Sequence, residues 1–128
     1  MLALFWHRPD WPDTPLHDAI NDVYDTYAPQ FSARLPGKSP QDVGRQECLD
    51  QLASSDLFGE VAALSHEWRA DYNRDRYLDL LDTQSNHRLL EPDIRAQLFD
   101  GIGRAIDDAG GTMPVEYTVE LYVARRLG

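Results

Sequence analysis

Apolar residues along this chain fall into runs and periods that mark out its elements. Leu2, Ala3, Leu4, Phe5 and Trp6 form an unbroken apolar run, the pattern of a central strand buried on both faces, and residues 7–14 after it are rich in turn formers. Such a strand needs a neighbour on each side, so the start of the chain reads as a cut through a larger sheet. The period then becomes helical: Leu16, Ala19, Ile20, Val23, Tyr24 and Tyr27 share a face, with Thr14 as N-cap and Pro15 at the first helical position. That helix ends near Pro29, and residues 30–40, which contain Pro36, Gly37 and Pro40, read as a loop. Ser39 as N-cap and Pro40 open a weaker second helix, with Val43, Cys48, Leu49 and Leu52 as its apolar members and Gly44 as an interruption.

Residues 61–68 read as a strand, with Ala62, Leu64, His66 and Trp68 on one face and Val61, Ala63, Ser65 and Glu67 on the other. A turn at 71–73 leads into a helix from about Arg74, whose stripe is Tyr77, Leu78, Leu80 and Leu81, and 83–87 is a polar break. Glu91, Pro92 and Asp93 open the clearest helix, with Ile94, Leu98, Ile102, Ala105 and Ile106 in period and Gly110 and Gly111 as its stop. After Pro114 a last strand alternates, Val115, Tyr117, Val119, Leu121 and Val123 against Glu116, Thr118, Glu120 and Tyr122, as in an edge or antiparallel strand. The layout is α/β with three strands, in a single domain of residues 1–128.

Composition narrows the function. With 42% hydrophobic and 27% charged residues, the 128-residue chain has the balance of a soluble globular domain. The net charge of -10, with Lys38 the only lysine, repels phosphate and disfavours nucleic acid or an anionic membrane as partner. The N-terminal apolar run is far short of the ~20 residues that span a bilayer and lacks a signal peptide's charged start, so the expected location is the cytoplasm. Cys48 is the only cysteine, which excludes an internal disulfide and a thiolate metal cluster. His7, His17, His66 and His87 show no zinc spacing and no HExxH-like element, so no metal site is expected.

The order and wording of these pieces resemble the C-terminal half of a class I S-adenosylmethionine-dependent methyltransferase of the small-molecule type. The resemblance covers nearly the whole chain. Residues 2–9 (LALFWHRP) resemble the fifth strand of that fold and the loop after it, without the Gly-Gly turn that usually precedes them. Residues 77–85 (YLDLLDTQS) resemble its helix and Thr-x-Ser element, and 91–106 with 115–126 (VEYTVELYVARR) its final helix and last strand. The resemblance implies a partial Rossmann-like fold: a three-stranded mixed sheet in the order first, third, second, the last strand central and antiparallel, with packed helices. It also implies methyl transfer from S-adenosylmethionine to a small-molecule acceptor. The family holds that cofactor with a strand, a Gly-rich turn and an acidic residue ending the next strand, none of which this chain has. Gly101 and Gly103 lie inside a helical pattern, so the chain alone is expected not to bind the cofactor and to be inactive.

Two pairs of residues are candidates for the acceptor side. His7 and Trp11 follow the first strand at its carboxyl end, where open α/β sheets place ligands. The alternative is that Trp11 packs on the next helix and His7 is merely exposed. Thr83 and Ser85 belong with His87 to a polar cluster that either faces a substrate or caps helices. Asp18, Asp22 and Asp25 fit a solvated helix face, and His66 and Glu67 point to opposite faces of their strand. The competing function is a non-catalytic module that dimerises through its exposed first strand or apolar sheet face.

Overall fold

The computed structural model describes residues 1–36 and 40–128. Its elements are β1 (Leu2–Pro9), α1 (Pro15–Tyr27), α2 (Pro40–Ala53), β2 (Phe58–Asn73), α3 (Arg74–Asp82), α4 (Ser85–Arg88), α5 (Pro92–Asp108) and β3 (Thr112–Arg126), with a 3-10 turn at Pro29–Phe31. The fold is mixed α/β, and its strands form one sheet in the order β1, β3, β2. β1 pairs antiparallel with β3, from Leu2 opposite Ala124 to Pro9 opposite Tyr117. On the other side the Leu127 N–H donates to the Leu57 carbonyl, and Gly59 lies beside the Arg125 carbonyl, the falling register of a second antiparallel pair. The last strand is therefore central, as expected. The sheet is antiparallel rather than mixed, because β3 separates the two strands that run the same way.

Two strand expectations need correction. The apolar run 2–6 predicts a strand buried on both faces, yet β1 is an edge strand with every second residue exposed and Phe5 72% accessible. β2 extends beyond 61–68 at both ends, and the turn expected at 71–73 is strand that runs straight into α3. Asn73 makes that junction possible by accepting a hydrogen bond from the Arg76 N–H through its side chain, which satisfies an orphan donor of the helix start.

The described residues group into two compact units, and the division falls within β2 and β3. One unit comprises Trp11–Leu35 and Arg69–Val115. In it α1 packs on α5, and α3 on α5 and α4. The expected helical stripes face inward except at Tyr27, which ends the α1 stripe and is exposed: Ile20 of α1 and Leu98, Ile102 and Ile106 of α5 are fully buried, as is Met113 at the start of β3, each contributing about 1.5–3 kcal/mol by burial. Thr14 caps α1 as expected, its hydroxyl accepting from the His17 N–H. Gly110 and Gly111 end α5 with φ of 106° and 86°, left-handed values that side chains resist, and the Gly111 N–H closes back on the Ile106 carbonyl at 2.8 Å. The acidic stripe of α1 has a partner. Arg34 donates to Asp22 and Asp25 at 2.7 Å each and to the Asp18 carbonyl at 3.2 Å, and so ties its turn to the helix.

The other unit comprises Met1–Asp10, Pro36–Trp68 and Glu116–Gly128. One face of its β1–β3 ladder carries Leu2, Leu4, Trp6 and Arg8 with Thr118, Glu120, Tyr122 and Ala124; the other carries Ala3, Phe5, His7 and Pro9 with Tyr117, Val119, Leu121 and Val123. α2 is tied to the first of these through Arg45 and Asp42. Its inward residues are Asp42, Arg45, Leu49 and Leu52, whereas Val43 and Cys48, expected among the apolar members, are exposed. Two of the inward positions are charged, which is why the helix carries so weak an apolar stripe. Ser39, its expected cap, lies outside the described residues.

Gly101 is where α5 comes closest to α1. A Cβ added there would stand 2.7 Å from Val23 Cγ1, and Val23 is β-branched and stiff. Gly101→Ala is therefore expected to destabilise by about 1–2 kcal/mol, overpacking of ~1–3 kcal/mol outweighing the gain in helix propensity of up to ~1 kcal/mol. Val23→Ala in the same chain should restore most of the loss, and urea melts of the single and double variants measure both.

Candidate functional site

Three clusters of polar and aromatic side chains stand out. The first lies on the open face of the sheet. His7 of β1 and Tyr117 of β3 are diagonal neighbours on that face, since Pro9 is opposite Tyr117 and His7 opposite Val119. Trp68 of β2 completes the group: its indole N–H donates to His7 Nε2 at 3.1 Å, and the two rings are within 7° of parallel with centroids 5.4 Å apart. Tyr117 stacks on both, at 4.6 Å and 23° from His7 and 4.5 Å and 19° from Trp68.

These distances fix the arrangement. With parallel rings ~3.5 Å apart at contact, a central Tyr117 would hold His7 and Trp68 about 7 Å from each other. The 5.4 Å observed places both on the same side of Tyr117, side by side and joined edge to edge by the hydrogen bond. His7 and Trp68 thus form one plate resting on a buried tyrosine, and both plate residues are exposed. Because Nε2 accepts, the proton of neutral His7 sits on Nδ1.

The second cluster, on the opposite face, centres on Glu120. Its carboxylate accepts from Arg8 at 2.8 Å, Arg45 at 2.9 Å and the Tyr122 hydroxyl at 2.7 Å. The Tyr122 hydrogen bond above all, and then Arg45 and Arg8, hold Glu120 below the usual carboxylate range against the opposing effect of burial. Trp6 meets Tyr122 edge-on at 5.9 Å. With its oxygens so engaged Glu120 is a structural anchor for α2 rather than a general base.

The third cluster belongs to the helical unit. Tyr24 Oη lies 2.8 Å from His87 Nε2, and both residues are buried. Asn86 Oδ1 accepts from the His87 backbone N–H at 2.9 Å and stands 2.8 Å from Nδ1, which assigns the ring proton to Nδ1 and makes Tyr24 the donor to Nε2. Phe31 and Phe99 flank the imidazole at 5.4 and 6.1 Å. Burial pushes the His87 pKa down and the Tyr24 pKa up, so both are neutral at pH 7.

The four residues expected on the acceptor side engage four separate sets of partners. His7 is in the plate. Trp11 packs edge-on to His17 at 4.5 Å and 90°, so it does meet the following helix. Thr83 donates back to the Leu80 carbonyl at 2.6 Å, a helix-end bond, and Ser85 is the exposed first residue of α4. Trp68 and Tyr117 were not among the expected residues. Alternation within each strand was visible, but which aromatic residues become cross-strand neighbours depends on a register that periodicity does not supply. Among the described residues no three histidine, cysteine or carboxylate side chains gather as a metal site, and no helix is long and apolar enough to cross a membrane. No protein-family model matches the chain, and no curated protein does.

His87 gives the helical unit a pH signature. Its folded pKa lies below 6.5, so folding excludes a proton that the unfolded chain binds; the stability tied to the neutral ring is complete above pH 6.5 and drains away as pH falls below it. The melting temperature should therefore drop between about pH 6.5 and 5.5, above the range where carboxylates titrate. His87→Gln, which keeps an acceptor for Tyr24 but does not titrate, should flatten that slope in thermal melts across the same range.

Proposed function

We propose that this chain is the C-terminal, acceptor-side portion of a class I S-adenosylmethionine-dependent methyltransferase that acts on a small molecule in the cytoplasm. The observation that carries the reading is the strand order β1, β3, β2, with the last strand inserted antiparallel between the other two and β1 at the sheet edge. It coincides with the ordered resemblance of residues 2–9, 77–85 and 115–126 to that family. An apolar β1 at an edge is a strand suited to further parallel neighbours. Of the four residues that the resemblance assigns to the acceptor, His7 and Trp11 flank the carboxyl end of β1, two residues before and two after it.

The residues present do not fit the cofactor. The left-handed glycines among the described residues are Gly110, Gly111 and Gly128, and the first two follow a helix instead of opening one. Gly101 and Gly103 are helical, and their missing side-chain space is taken by Val23 and by the Arg74 guanidinium. Among the described residues no strand leads through a glycine turn into a helix, so the cofactor's strand, turn and ribose-binding carboxylate are assigned to another segment. The contribution of this chain is orientation of the acceptor, which governs the rate of a transfer that proceeds by alignment.

A second reading, a non-catalytic module that forms a homodimer, is favoured by one observation. Phe5 on the edge strand β1 is 72% accessible and Leu64 on the edge strand β2 is 60% accessible, so both sheet edges carry an exposed apolar side chain that a second copy would cover.

Two measurements separate the readings. Isothermal titration of the 128-residue chain with S-adenosylmethionine and with its demethylated product should give no heat at millimolar ligand; micromolar binding would overturn the assignment of the cofactor site to another segment. The reading frame upstream of the Met1 codon should encode a Gly-rich strand, turn and helix. A ribosome-binding site there without such a segment would favour the free-standing module. For that module, light scattering at micromolar concentration should report a dimer, and a monodisperse monomer would sink it.

A further inference from the structure

We infer that the His7–Trp68 plate is a binding site for a flat, electron-poor or cationic heteroaromatic small molecule, stacked on the face of the plate turned away from Tyr117. The inference stands on the plate itself and needs no cofactor. Should the methyltransferase reading hold, the same site is where its acceptor would lie.

Shape comes first. Two coplanar rings joined by an N–H···N bond present a π surface wider than either ring alone, and Tyr117 already covers one side of it. A ligand that stacks fully on such a surface is itself flat, and rings prefer this offset parallel contact to a face-centred one. The hydrogen bond locks both side chains in plane before the ligand arrives, so little rotamer freedom is lost on binding.

Charge then selects the class of ring. The face of indole is electron-rich, and indole is the best of the natural rings at attracting cations. The chain carries a net charge of -10, which draws cations and repels anions at long range. An electron-poor ring or a ring cation therefore gains from both effects, whereas a flat anion gains only the stacking. The Nδ1–H of His7 adds a donor in the plane of the plate, at its rim, for a carbonyl or ring nitrogen of the ligand.

The structure supplies a signal for the test, because an electron-poor ring stacked on indole quenches its fluorescence and creates a charge-transfer absorption band. The probe is 1-methylquinolinium, with cyclohexyltrimethylammonium as a cation that is not flat and naphthalene-2-sulfonate as a flat anion. 1-Methylquinolinium should quench saturably with a charge-transfer band, and each comparison compound should bind at least about tenfold more weakly, a difference of ~1.4 kcal/mol. Trp68→Ala should abolish the band. His7→Ala, on a different strand, should weaken binding several-fold by removing half of the plate, so the test survives if one variant fails to fold. Trp6→Phe, which changes the opposite face, should leave the band intact. Quenching that never saturates, a band retained in Trp68→Ala, or equal binding of cyclohexyltrimethylammonium would overturn the proposal. So would a dimer whose formation blocks the probe. Heat or its absence in the S-adenosylmethionine titration bears on the methyltransferase reading alone.

Discussion

β3 is the strand on which both other strands depend, because its two edges supply the backbone ladders of β1 and β2. Two strands distant in sequence are brought to either side of the C-terminal segment, and neither has another partner within this sheet. The pairing of β1 with β3 closes a loop of more than a hundred residues, Leu2 lying opposite Ala124. Such closure is entropically unfavourable and must be offset by contacts that form only once the ends have met. Glu120 supplies some of them. Centred on β3, it draws Arg8 of β1 and Arg45 of α2 to one carboxylate. A charge so enclosed is tolerated because its oxygens are hydrogen-bonded, and removing a partner would leave it exposed to the desolvation penalty.

The two faces of that ladder are used differently. The face bearing Arg8, Glu120 and Tyr122 is bound to α2 through ion pairs, while the apolar residues Val119, Leu121 and Val123 share the opposite face with exposed Phe5 and His7. Polar groups bind the helix because directional bonds fix its position. The apolar face is left to present aromatic rings, and there Trp68, His7 and Tyr117 converge.

In the helical unit, Tyr24 and His87 are buried as a pair. His87 takes a hydrogen bond from Tyr24, Asn86 orients the ring, and flanking phenylalanines exclude water. The neutral forms are favoured at both ends of that bond, which makes it a rigid strut and gives it little use in proton transfer. Its companion on the surface is Arg34, which gathers the carboxylates of α1 that a helical projection alone would leave to solvent.

The α1 and α5 stripes, the Thr14 cap, the Gly110–Gly111 stop and the alternation of β3 were legible in the sequence, because each is decided within a few residues by period, capping or left-handed φ. The central place of the last strand was also anticipated, by family likeness rather than by period. The residues that meet across strands were not legible. Arg8, Arg45 and Glu120 are separated by up to 112 positions, as His7, Trp68 and Tyr117 are by up to 110, and nothing in the local pattern of any one of them names the others. Val43 and Cys48 misled for the same reason: the inward face of α2 is chosen by an ion pair with another strand and not by its own apolar residues. The sequence by itself placed most helices and strands to within a few residues, because those choices are local, though it missed α4, which begins inside the polar break at 83–87, and the last five residues of β2. Only the tertiary structure decided which edge, face and ring each strand presents, because register is set by pairing between segments that the chain keeps far apart.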